Sequence, residues 1–98
     1  MKPQKGEILT LFSSESGPGQ DAEWRIAVSR KIVRLATGRN RWRRRIREIL
    51  RKLRQEIQPR HRLVWKLHRA TPALGPAELE REIQGLLRRA GLWRSDKP

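Results

Sequence analysis

Apolar residues change their spacing repeatedly along this chain, and each change marks an element. Glu7 to Ser13 sets Ile8, Leu9, Leu11 and Phe12 around Thr10, a run that predicts a short strand. Ser13 to Asp21 contains Gly17, Pro18 and Gly19 and predicts a loop. From Trp24 to Lys31 the pattern alternates, with Trp24, Ile26 and Val28 on one side and Arg25, Ala27 and Ser29 on the other. Period two predicts a strand with one buried face. Two strands joined by a single loop predict an antiparallel hairpin.

After the transition from Ile32 to Gly38 the period lengthens. Arg39 to Gln58 places Trp42, Ile46, Ile49, Leu50, Leu53 and Ile57 three or four residues apart, which predicts a long amphipathic helix closed by Pro59. Arg62 to Arg69 alternates again, Leu63, Trp65 and Leu67 against Val64, Lys66 and His68, and reads as a third strand. Ala70 to Pro76 is a loop. Ala77 to Ala90 carries Leu79, Ile83, Leu86, Leu87 and Ala90 on one helical face. Pro76 suits its first turn, Glu78, Glu80 and Glu82 its positive end, Arg88 and Arg89 its negative end, and Gly91 its stop.

The order β-β-α-β-α predicts an α+β fold: a three-stranded sheet with both amphipathic helices on one face. The other sheet face stays open and makes a groove beside the arginine-bearing helix. The expected organisation is a single domain over 7–93, with flexible ends at 1–6 and 94–98.

Charge gives this scaffold a partner. The chain has 98 residues, 24 Lys plus Arg against 10 Asp plus Glu, and a formal charge of +14. Such a surplus resists compaction by self-repulsion and favours a polyanion, nucleic acid first and an anionic membrane surface second. Cysteine is absent, which excludes disulfides and thiolate zinc sites. The two histidines, His61 and His68, are too few for a histidine-based metal site without help from acids. No signal peptide or membrane-length apolar run is visible, and the expected setting is cytoplasmic, without a membrane partner or a small-molecule substrate.

The densest charge lies in the first helix, where Arg39, Asn40, Arg41, Arg43, Arg44, Arg45 and Arg47 surround Trp42 and Ile46. A random basic tail has no reason to keep an apolar stripe. Guanidinium grips phosphate with paired hydrogen bonds and stays charged throughout the physiological range, so this is the expected nucleic-acid-binding helix. The plainer alternatives are a solvated charged face or a dock for an acidic protein. Ser29, Arg30 and Lys31 extend the basic surface at the end of the preceding strand, although alone they read more readily as an ordinary polar strand end. Phe12 and Trp65 are the aromatics whose sheet face the sequence leaves open, and either would stack on an unpaired base if it faced the groove. Trp24 and Trp42 read as core.

Catalysis finds little support. The acids are scattered rather than clustered for metal ions, His61 and His68 are spaced to lie on opposite strand faces, and no glycine-rich phosphate loop is present.

The segment Arg25-Ile-Ala-Val-Ser-Arg-Lys-Ile32, followed by Arg39-Asn-Arg-Trp-Arg-Arg-Arg-Ile-Arg-Glu48, resembles the protein component of bacterial ribonuclease P. In that family a strand ends in Val-Ser-Lys-Lys, and a helix opens with Arg-Asn-Arg and continues to an Arg-Glu pair. Val28 to Lys31, Arg39 to Arg41, Arg44, Arg47 and Glu48 fill those places here. The end of the chain, Ala77-Glu-Leu-Glu-Arg81 and Leu87-Arg-Arg-Ala-Gly-Leu92, is similar too.

The resemblance implies a βαβ unit of left-handed crossover, against the usual rule, in the fold of the second domain of ribosomal protein S5. It implies a non-catalytic subunit of an endoribonuclease, with two partners: the ribonuclease P RNA and precursor tRNA. The RNA would hold Mg²⁺ and cut the tRNA 5′ leader, and the protein would bind no cofactor of its own. Arg39, Asn40, Arg41, Arg44 and Arg47 would dock the RNA, beside Arg43 of the same basic helix. Ser29, Arg30 and Lys31 would edge a leader groove, with Phe12 and Trp65 as stacking candidates.

The chain departs from the family in three places. The usual N-terminal helix is expected to be missing, no glycine follows the Val-Ser-Arg-Lys segment, and Arg62 and Leu63 stand where the family often has Asp. The rival readings are a ribosome-associated or general RNA-binding module, and a DNA-binding protein with the arginine helix in the major groove.

Overall fold

The computed structural model describes residues 3–15, 22–71 and 74–94. Its elements are β1 (Gln4–Lys5), β2 (Leu9–Glu15), β3 (Glu23–Val28), α1 (Ala36–Lys52), a 3-10 turn (Arg54–Glu56), β4 (His61–Leu67) and α2 (Pro76–Arg89). The two predicted loops, Ser13 to Asp21 and Ala70 to Pro76, lie partly outside the described residues, as does the 94–98 end beyond Arg94.

The sheet has four strands in the order β1-β2-β4-β3, not three. The additional strand comes from the segment assigned to a flexible N-terminus: Gln4 and Lys5 pair with Leu11 and Thr10. The expected hairpin is also corrected. β2 and β3 are not neighbours, because β4 lies between them, antiparallel to β2 and parallel to β3. The physical reason is Trp65. Its register partners are Leu11 on one side and Ile26 on the other, so the central position encloses the largest fully buried side chain of the sheet. A hairpin of β2 and β3 would leave β4 at an edge, with that ring half uncovered. The parallel β3–β4 pair needs a crossover, and α1 supplies it.

Alternation sorts the two faces. Leu9, Leu11, Ile26, Val28, Leu63, Trp65 and Leu67 point to one side and are buried. They join Trp42, Ile46 and Leu50 of α1 and Leu79, Ile83, Leu86 and Leu87 of α2 in one core cluster. Both helices therefore cover the same face, as the apolar stripes require.

α1 begins three residues before the expected start and ends at Lys52, well short of Pro59. Leu53 and Ile57 remain buried, but outside the helix. Ile57 forms an antiparallel bridge with Trp93, and the Gln58 N–H donates to the Leu92 carbonyl at 2.8 Å. Pairing with the C-terminal segment outcompetes further helix. β3 likewise ends at Val28, so Ser29 to Lys31 form a turn rather than a strand end.

α2 closes as its sequence predicts. Gly91 adopts φ 74° and donates to the Arg88 carbonyl at 3.0 Å, while the Leu92 N–H reaches the Leu87 carbonyl at 2.8 Å. This paired closure of a helix end turns Leu92 and Trp93 back onto the core.

Candidate nucleic-acid interface

The arginines of α1 divide into two groups by what they touch. Some are occupied within the fold. Arg39 donates from Nη1 to the carbonyls of Val33 and Arg34 at 3.2 and 2.9 Å. Arg45 lies 4.7 Å from the Trp42 ring centroid and donates to the Leu74 carbonyl at 3.0 Å. Lys52 pairs with Glu80 of α2 at 3.0 Å. Arg43 donates to Asn40 Oδ1 at 2.8 Å, which fixes that amide.

The second group is free. Among the described residues no hydrogen bond or ion pair engages Arg41, Arg44, Arg47 or Arg51, and all are exposed. Helical spacing sets Asn40, Arg44, Arg47 and Arg51 on the face opposite Trp42, Ile46 and Leu50, with Arg41 on its shoulder. Buried apolar anchors hold the rod, and its outer face presents unneutralised guanidinium. Ser29, Arg30 and Lys31 are exposed in the turn between β3 and α1, where the Ile32 and Val33 N–H groups donate to the Ser29 carbonyl at 3.2 and 3.0 Å.

The uncovered sheet face is the second surface. Lys5, Thr10, Phe12, Ser14, Arg25, Ala27, Arg62, Val64 and Lys66 share it, by their pairing and by the burial of their neighbours. A concavity of about 520 Å³ there is lined by Phe12, Ser14, Arg25, Arg62 and Val64 among others. Phe12 is half-buried and sits in a cross-strand row with Val64 and Arg25. Arg62 stands 3.7 Å from Glu23 in a well-exposed pair, a geometry that adds little stability and yields readily to a phosphate.

Trp65 does not belong to this face. It is fully enclosed on the helix-covered side, opposite Phe12, and is withdrawn as a stacking candidate. The same alternation that buries Trp65 turns Arg25, Arg62 and Lys66 toward the groove. Sequence reasoning did not assign these three to a site, although their period-two spacing was the signal. It also passed over Arg34 and Arg51, both exposed.

Both histidines are engaged in hydrogen bonds. His68 is held by Thr10 Oγ1 at 2.8 Å and the Glu7 carbonyl at 3.1 Å, and His61 by the Pro59 carbonyl at 2.8 Å. Among the described residues no group of three or more His, Asp or Glu side chains is arranged to ligate an ion. Among the described residues no helix is long and apolar enough to cross a membrane.

The chain matches the family model described as Ribonuclease P over residues 5–91. No curated protein sequence matches it significantly. Among solved structures, the RNase P protein from Thermotoga maritima superposes with TM-score 0.80 at 24% identity, covering 90% of this chain and 82% of that one. The same protein in complex with 1-(4-fluorophenyl)-2-thiourea gives TM-score 0.80 at 22% identity, over 90% and 84% of the two chains. A Staphylococcus aureus RNase P protein mutant with defective mRNA degradation activity gives TM-score 0.81 at 16% identity, over 94% and 76%.

Proposed function

The chain belongs to the ribonuclease P protein family, and from that premise we propose how its two basic surfaces divide the work. As the protein subunit of ribonuclease P it is an RNA-binding component of an endoribonuclease that processes tRNA. In our reading, the outer face of α1 docks the RNA subunit of the enzyme. The uncovered sheet face, with Phe12 at its centre and Ser29 to Lys31 at its end, receives the single-stranded 5′ leader of precursor tRNA. Mg²⁺ belongs to the RNA, which performs the cleavage, and the protein contributes no catalytic group.

The observation that carries this reading is the free arginine face. Among the described residues Arg41, Arg44, Arg47 and Arg51 have no partner, on a helix whose opposite side is locked into the core. Like charges held together this way repel one another until a polyanion arrives. Each phosphate they neutralise releases condensed counterions, and the same neutralisation lets two RNAs approach each other at low Mg²⁺. The sheet face differs in chemistry: an aromatic ring flanked by cations suits unstacked bases on a flexible strand.

The decisive experiment adds the chain to a bacterial ribonuclease P RNA at Mg²⁺ too low for the RNA alone and follows precursor-tRNA cleavage. Wild type restores 5′ processing, and Arg44→Ala/Arg47→Ala does not. RNA-free protein that cut precursor tRNA would reject the non-catalytic role. Binding to ribosomal RNA without rescue of processing would favour a general RNA-binding module.

A further inference from the structure

Among the described residues Leu35 is the exposed large hydrophobic side chain, at 72% of its full accessible surface. It occupies the N-cap position of α1, where a polar side chain would ordinarily cap the helix and a leucine caps nothing. Its flanks are braced. The Ile32 and Val33 N–H groups are tied to the Ser29 carbonyl, and Arg39 holds the carbonyls of Val33 and Arg34. The Arg39 N–H donates to the Leu35 carbonyl at 3.0 Å. Gly38 packs so closely on this loop that a Cβ there would come within 2.8 Å of Val33 Cγ1. The leucine is thus displayed by a fastened loop rather than released by a loose one.

Beside it lies a concavity of about 670 Å³ whose apolar lining includes Ile32, Val33 and Trp42, with Arg34 and Arg41 also on its wall. Both guanidinium groups lack partners among the described residues. An apolar lining that shares its wall with free cations matches a flat, weakly polar group that carries anions beside it, which describes a base within a polynucleotide. A second copy of this chain fits poorly, because a twofold contact would bring the same arginines face to face on molecules of charge +14.

We propose that Leu35 and the adjoining concavity receive an unstacked base of structured RNA, with Arg34 and Arg41 on the phosphates that flank it. This rests on the reading of α1 as the dock for the RNA subunit. It adds a base-directed apolar contact to an interface otherwise directed at phosphate.

The test compares full-length wild type, Leu35→Ala, Leu35→Phe and Arg44→Ala for binding to a bacterial ribonuclease P RNA over a salt series. Leu35→Ala weakens binding about five- to tenfold at every salt concentration and leaves the slope of log K against log salt unchanged, because a leucine displaces no counterion. Arg44→Ala makes that slope shallower by about one. Leu35→Phe restores at least wild-type affinity. Base-specific chemical probing shows one unpaired base whose reactivity changes with wild-type protein and stays as in free RNA with Leu35→Ala. The site is exposed, so Leu35→Ala melts within about 2 °C of wild type.

Two binding outcomes separate the proposal from its premise. Wild-type affinity for Leu35→Ala beside a weakened Arg44→Ala overturns the proposal and leaves the docking helix in place. Unweakened binding by both overturns the docking reading itself. A dimer in sedimentation that Leu35→Ala dissolves assigns the leucine to self-association and also overturns the proposal.

Discussion

Arginines that are equivalent in sequence do different jobs once their contacts are known. Arg39 was expected among the RNA-docking residues, yet its guanidinium satisfies two backbone carbonyls of the loop before α1. Arg39→Ala should therefore lower unfolding stability by about 1–2 kcal/mol in a urea titration. Arg44→Ala and Arg47→Ala, which break no internal contact, should stay within about 0.5 kcal/mol of wild type while losing RNA affinity. Glu82 shows the same principle with the opposite charge. Its Oε2 accepts from the N–H groups of Ile8 and Leu9 at 3.0 and 2.7 Å, pinning the start of β2 to α2. Glu82→Ala strands two backbone donors on buried residues and should cost about 2–3 kcal/mol, with Glu82→Gln costing roughly half as much. Gly6 leaves room for that carboxylate, since a Cβ there would come within 3.0 Å of Oε2.

At the scale of elements, the sheet shows how one register separates stability from function. Trp65 and Phe12 are both strand aromatics, one residue apart in register: Trp65 faces Leu11, and Phe12 faces Val64. Trp65 is enclosed between the sheet and its helices, and Trp65→Ala should cost about 3–5 kcal/mol in guanidinium unfolding. Phe12→Ala, on the uncovered face, should cost under about 1.5 kcal/mol and weaken binding of a single-stranded 5′ leader about tenfold, read by fluorescence anisotropy. A leader affinity unmoved by Phe12→Ala would remove the sheet face from substrate binding. The arginine helix and the strand order were unequally legible for a related reason. A period near 3.6 is local and survives any tertiary arrangement, so α1 and α2 could be read directly. The neighbour of β2 depends on which strand most needs the centre, and that competition involves the whole sheet.

For the molecule as a whole, charge sets folding and binding against each other. With +14 on 98 residues, self-repulsion opposes the compact state and added salt screens it. The melting temperature of the free protein should rise by several degrees between about 0.05 and 0.5 M salt. Affinity for the RNA should fall by orders of magnitude over the same range. Opposite signs in one titration, by calorimetry and filter binding, would separate electrostatic docking from a salt-driven collapse of the fold. Both parallel signs and a flat binding curve would count against the arginine face as the dock.

The amino-acid sequence by itself determined the two helical stripes, the strand alternation, the closure of α2 at Gly91, the excess of positive charge and the family resemblance carried by Val28 to Lys31 and Arg39 to Glu48. These are local or summed properties, and they need no knowledge of what lies across the fold. Tertiary structure alone decided that β4 lies at the centre, that Trp65 is core while Phe12 is surface, that α1 stops at Lys52, and which arginines are occupied. Each of these depends on residues distant in the chain competing for the same buried space or the same carbonyl oxygen, and only the folded arrangement resolves that competition.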